Sequence, residues 1–181
     1  MNEFEAANRN FLSLAVQYYI AARSAALSGL MPVSGNIYHH AIEMFLKAQL
    51  SKKRTLKQLK KGFRDHNLST LWQAFKDEFP QADLEKFDDT IVKLNHFENI
   101  RYPDKLIADG AQMMLGWRKG FLSADSKVPK YEIVIEDIDR LIAIIFEICS
   151  VNPIFFMAGM NEYARESITQ KNPASSGWFK T

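Results

Sequence analysis

From Asn2 to about Ser28 the apolar residues fall at steps of three and four: Phe4, Ala7, Phe11, Leu14, Ala15, Tyr18, Ala22 and Ala25. That period places them on one face of a long α-helix. Asn2 can cap the helix, with Glu5 three residues later completing a capping box. Gly29 and Pro32 supply a stop. The same period continues down the chain. A second helix is predicted from Ser34, which can cap it, and contains "YHHAIEMFLKAQL" (Tyr38 to Leu50). A short basic amphipathic turn comes next, with Leu56, Leu59 and Phe63 inward. A third helix opens near Asp65 or Asn67, carries Leu68, Leu71, Trp72, Phe75 and Phe79, and ends at Pro80. A fourth, capped by Asp83, sets Leu84, Phe87, Ile91, Leu94 and Phe97 on one stripe.

The helical period fails from Arg101 to Asp137. Residue 102 precedes a proline and is pushed out of the α region. Gly110, Gly116, Gly120 and Pro129 punctuate this stretch, and "KYEIVIE" has the β-branched and aromatic content of a short strand or hairpin. Helix returns from about Asp137 to Ser150, and Asn152 with Pro153 reads as a cap opening a last helix. The expected fold is an all-α, antiparallel up-and-down bundle of about five to six helices with an irregular insertion at about 101–136 that can hold a short strand or a hairpin. One domain over 1–172 and a mobile tail over 173–181 complete the expectation. There is no internal repeat and no linker.

Composition narrows the classes. Of the 181 residues 47% are hydrophobic and 24% charged, the balance of a globular domain rather than a disordered chain. The one cysteine, Cys149, lies in "AIIFEICSV" and reads as a small buried hydrophobe. The N-terminus lacks the basic and apolar regions of an export signal. The most apolar run is broken by Glu147, Asn152 and Pro153, so no membrane anchor is expected. A cytoplasmic protein fits these features. Net charge is +2, but Ser51–Asp65 holds seven Lys or Arg against one Asp, leaving −4 on the remainder. Lys52, Lys53, Arg54, Lys57, Lys60, Lys61 and Arg64 are therefore candidate phosphate contacts, while lysines alternating with Leu56, Leu59 and Phe63 also suit a solvated amphipathic face.

The second helix carries the densest polar chemistry. On a wheel at about 100° per residue, His39, His40, Glu43 and Lys47 share one narrow strip of an otherwise apolar helix. Glu43 and Lys47 stand in the favourable i,i+4 order. His39 with Glu43 supplies only two metal ligands, nothing in the sequence brings His66 or His96 to them, and no HExxH or cysteine cluster is present. No metal site and no cofactor are expected. No GxSxG, GxGxxG or P-loop appears.

Three pieces occur in order: "AIEMFLKA" in the second helix, "HNLSTL" opening the third, and "NIRYPD" ending the fourth. Their order and spacing over about Ser34–Asp104 resemble the HEPN superfamily of small helical domains. The resemblance implies a four- or five-helix bundle, frequently dimeric, and in many members a noncatalytic partner of a nucleotidyltransferase. Other members are metal-independent ribonucleases, marked by an arginine with a histidine four to six positions later. This chain departs from that mark: "YPDKLIADG" comes after Arg101 without a histidine, and Arg64 has His66 only two residues on. In such a bundle Glu43, Lys47, His66 and Arg101 would form or border one polar patch beside Tyr102. The patch is either a network of hydrogen bonds fixing helix register or a pocket for an anionic ligand. The functional expectation is a noncatalytic, homodimeric HEPN-like interaction module. The alternative is an RNA-binding or RNA-cleaving protein using the basic segment and Arg101. A small-ligand pocket near Trp117, Arg118, Tyr102 and Tyr131 is a third reading.

Overall fold

The computed structural model describes residues 2–63, 66–117 and 127–178. Two long helices form its frame: α1 (Glu3–Leu27) and α2 (Val33–Leu50). The expected capping box is present, with the Glu5 amide donating to Asn2 Oδ1 at 2.9 Å and the Asn2 amide to Glu5 Oε2 at 3.0 Å. The end of α1 is a Schellman turn: the Gly29 amide reaches Ala26 O at 3.0 Å and the Leu30 amide Ala25 O at 2.9 Å. Gly29 takes the left-handed conformation this turn requires, at φ 71°. Ser34 does not cap α2 as expected. The helix begins one residue earlier, after Pro32, and the buried Ser34 hydroxyl lies 3.3 Å from Met31 Sδ.

The short connection makes α1 and α2 antiparallel, and they share the largest helix–helix contact of the fold. Behind them come α3 (Leu56–Gly62) and α4 (Leu68–Lys76), capped by Thr55 and Asn67. Next is α5 (Asp88–His96), with a 3₁₀ turn at each end, Glu85–Phe87 and Phe97–Ile100. Asp83 does not cap this helix; its carboxylate pairs with Lys86. α7 (Ile135–Ile148) closes the core, with Phe146 edge-on to Phe45 at 5.3 Å. Gly35 lets α2 approach the buried Phe97 ring closely.

The fold class is as expected, an all-α bundle with a small insertion, but the details differ in four ways. Among the described residues there are nine α-helices rather than five to six, several of them short. One of these, α6 (Pro103–Asp109), stands inside the stretch expected to be irregular; its proline at the first position suits a helix start. The two strands, β1 (Gln112–Gly116) and β2 (Lys130–Val134), pair in parallel and are no hairpin, Gln112 opposite Lys130. Parallel strands need a long connection, here residues 117–129. The last helix is split into α8 (Ile154–Met157) and α9 (Glu162–Thr169), each opened by an asparagine side chain, Asn152 and Asn161.

The segment after 172 is also not loose as far as Trp178. Pro173–Gly177 is a 3₁₀ turn, and buried Trp178 meets Tyr19 at 6.2 Å and Phe146 at 5.2 Å between ring centres. The expected tail at 179–181, like Gly120, lies outside the described residues. The face of α1 is turned as well. Its buried positions are Ala7, Leu12, Ala15, Val16, Tyr19, Ala22, Arg23, Ala25 and Ala26. Phe4, Leu14 and Tyr18, expected in the core, are exposed.

Candidate binding site

Glu43 is the centre of the site. It projects from the middle of α2 and is fully buried. Lys47, one turn on, donates to Oε1 at 2.5 Å. His66 Nδ1 lies 2.9 Å from Oε1 and 3.1 Å from Oε2. His40 Nδ1 lies 3.4 Å from Oε2. Burial alone would raise the Glu43 carboxyl pKa; the hydrogen bonds from His40 and Lys47 and the charges of Lys47 and His66 outweigh it and hold it down at about 2. His66 sits just before the α4 cap in the left-handed region, φ 50°. That conformation is uncommon for a residue with a Cβ, and here the carboxylate grips the ring that it presents.

Three of the four residues expected in one patch therefore meet: Glu43, Lys47 and His66. Arg101 does not reach them. It pairs with Glu98 at 3.3 Å and lies over the ring of Tyr102, which is 66% exposed. The link between the two groups runs through His39. Its Nδ1 lies 3.2 Å from the Leu94 carbonyl and its Nε2 lies 3.8 Å from Glu98 Oε2. Burial pushes the His39 pKa down, so the ring is kept neutral. His39, His40 and Glu43 offer ligand atoms within 4.8 Å of one another, a cluster that sequence spacing reduced to two ligands.

A groove of about 510 Å³ adjoins Lys47 and His66. Phe11, Leu56, Leu59 and Phe63 give it an apolar floor, and Lys57, Lys60 and Lys61 add positive charge to its walls. The groove is apolar below and lysine-lined around the rim. The rest of the basic segment faces elsewhere. Lys53 pairs with Glu78 at 3.6 Å, Lys52 reaches toward Cys149 O at 3.5 Å, and Arg54 lies over the Phe63 ring. Arg64 falls outside the described residues. Of the six described basic residues of the segment, three line the groove.

The third reading, a pocket among Trp117, Arg118, Tyr102 and Tyr131, does not assemble. Tyr131 is buried against Phe97, Tyr102 is on the surface, and Trp117 lines a separate cavity with Lys171 and Asn172. Arg118 lies outside the described residues. Cys149 is half-buried, and burial pushes its thiol up to about 12, which suits a packing residue and no nucleophile.

A second buried polar group went unread. Arg23 of α1 and Asp139 of α7 form a fully buried ion pair. Tyr19 donates to Asp139 at 2.6 Å, and Asn172 donates to the Tyr19 hydroxyl at 2.9 Å. Arg23 also donates to Ser167 O and Gln170 O, each at 2.5 Å. The signal was a lone arginine one turn after Tyr19 within "AARSAAL". Its function is to join α1, α7 and the C-terminal segment in one register.

No helix of the described residues is long and apolar enough to cross a membrane. Comparison with protein-family models, with curated proteins and with solved structures finds no match for this chain.

Proposed function

We propose that this chain is a noncatalytic, HEPN-like binding module that acts as a homodimer. The observation that carries the reading is the outer face of α1. Phe4, Leu14 and Tyr18 are 37%, 43% and 38% exposed, at helical spacing, and half-buried Phe11 lies between them. Apolar side chains aligned on one helix face are the pattern of helix–helix association. The polar site argues in the same direction. His66 is held by Glu43 and Arg101 by Glu98, so these two do not face a shared opening. By the HEPN resemblance, the partner beyond a second copy is a protein of the nucleotidyltransferase class.

Sedimentation equilibrium tests the homodimer. The native chain is expected as a dimer at micromolar concentration, and Leu14→Glu with Tyr18→Glu as a folded monomer, checked by circular dichroism. A native chain that stays monomeric under these conditions sinks the proposal.

The lysine-walled groove supports a second reading, RNA binding. Labelled single-stranded RNA incubated without metal should be recovered intact, and its retention should weaken steeply with salt if Lys57, Lys60 and Lys61 contact phosphates. Cleavage by the native chain but not by Arg101→Ala would overturn the noncatalytic assignment.

A further inference from the structure

We infer that His39, His40 and Glu43 form a binding site for a divalent transition-metal ion of the zinc class. Three of the chain's four histidines, His39, His40 and His66, gather around Glu43, while His96 stands exposed elsewhere on the surface. One ring nitrogen from His39, one from His40 and one carboxylate oxygen of Glu43 already lie within 4.8 Å of one another. Donors around tetrahedral zinc are roughly 3.4 Å apart, given bonds of about 2.1 Å. Small side-chain rotations close the difference.

The independent observation is the unpartnered nitrogen of His39. The Leu94 carbonyl can only accept, so His39 Nδ1 carries the ring proton. Nε2 is left with its lone pair. It is buried, the side chain being 1% exposed, and it has no hydrogen-bond partner among the described residues. The charged atom opposite, Glu98 Oε2 at 3.8 Å, is another acceptor. A buried acceptor that faces a part-exposed carboxylate is stabilised by a cation between them. An imidazole whose Nδ1–H is fixed by a backbone carbonyl is also the usual arrangement of a metal-ligating histidine. Glu98 is a further donor for the fourth position.

Imidazole and carboxylate together suit zinc and its first-row neighbours rather than calcium or magnesium. Lys47 and His66, which now balance Glu43, have somewhere to go. Lys47 lies on a flexible stem beside the groove, and the His66 side chain is 45% exposed. A bound ion would turn both side chains into the groove. Occupancy of the metal site should therefore strengthen the capture of an anion there.

The test is a titration of the untagged chain with Zn²⁺ by calorimetry, and with Co²⁺ by visible absorption. The expected result is one ion per chain, with the intense bands of four-coordinate cobalt. His40→Gln alters a partly exposed side chain and should fold; it is expected to weaken binding about tenfold or more. His39→Gln should abolish binding, and His96→Gln should leave it unchanged. If His39→Gln fails to fold, His40→Gln decides alone. No saturable binding by the native chain, or binding that survives His40→Gln at full strength, overturns the inference.

Discussion

Replacing Glu43 by Gln is the sharpest probe of the site. The amide keeps the volume of the side chain and removes its charge, so the change isolates electrostatics from packing. Its size is set by the carboxyl's own proton equilibrium. The fall from 4.5 to about 2 is worth about 3 kcal/mol, at about 1.36 kcal/mol per pH unit. Removal of one member of a buried pair costs about 3–5 kcal/mol when the other charge is stranded. Lys47 is close to the surface and His66 half exposed, so both regain water and the lower end applies. The expected loss at pH 7 is about 2–3 kcal/mol, read from urea unfolding followed by circular dichroism with a chelator present. The pH dependence supplies the stricter check. A carboxyl with a depressed pKa stabilises the fold fully above 4.5 and loses that stabilisation as pH falls toward about 2. The gap between native and variant must therefore close across that window. His39 adds a separate acid sensitivity in both proteins. Its pKa is lowered by burial, so stability falls as pH drops below 6.5, where the unfolded ring takes up a proton first. Glu43 opposes that lowering, so the variant keeps this sensitivity and shows it more strongly. A gap that is the same at pH 7 and at pH 3, or a variant as stable as the native chain, would refute the assignment of Glu43 as a buried anion held by Lys47 and His66.

Two further changes test the packing that holds the site in place. A Cβ on Gly35 would overlap the Phe97 ring at Cδ1 and Cε1, so Gly35→Ala should cost about 1–3 kcal/mol by overpacking. Phe97→Leu in the same chain should recover part of that loss, and purely additive costs in urea melts would contradict the contact. At the second polar cluster, Asp139→Asn strands Arg23 in the core and should cost about 3–5 kcal/mol. The double change Arg23→Met with Asp139→Leu should cost less than the single one, and a larger cost would mean that Arg23 stabilises chiefly through Ser167 O and Gln170 O.

Local chemistry was legible in the sequence wherever partners lie within a turn or a cap. The Asn2–Glu5 capping box and the Glu43–Lys47 pair follow from spacing alone. His66 on Glu43 came from the order of motifs, and it is found there. Arg101 illustrates the limit. It is drawn aside by Glu98, three residues back, a pairing as local as Glu43–Lys47 yet overlooked because the motif suggested a longer reach. Asp139 with Arg23 spans most of the chain, and no periodicity within either helix announces it. The parallel strand pair was hidden for the same reason: each strand is five residues long, and its direction relative to a distant partner leaves no mark on its own pattern.

The misread face of α1 has a physical cause that bears on function. Its apolar residues form two stripes about a quarter turn apart. One is built of Ala15, Ala22 and Ala26 with Leu12, Val16 and Tyr19, and it is the stripe buried in the bundle. Small side chains bring the backbones of α1 and α2 close together, which suits the most extensive helix contact in the fold. The other carries the bulk: Phe4, Phe11, Leu14 and Tyr18. Hydrophobicity ranks the second stripe higher and cannot say which one the chain itself covers. Phe11 packs partly against the core and Tyr18 lies 5.8 Å from the His40 ring, so the monomer uses this stripe only in part and a second copy would bury the rest. Phe11 lies at the join, on the floor of the lysine-walled groove. A substitution there, Phe11→Ala, should accordingly weaken both self-association and capture of an anion. Leu14→Glu should weaken only the first, and if the two variants behave alike in sedimentation and RNA retention, the stripe and the groove are one surface and not two.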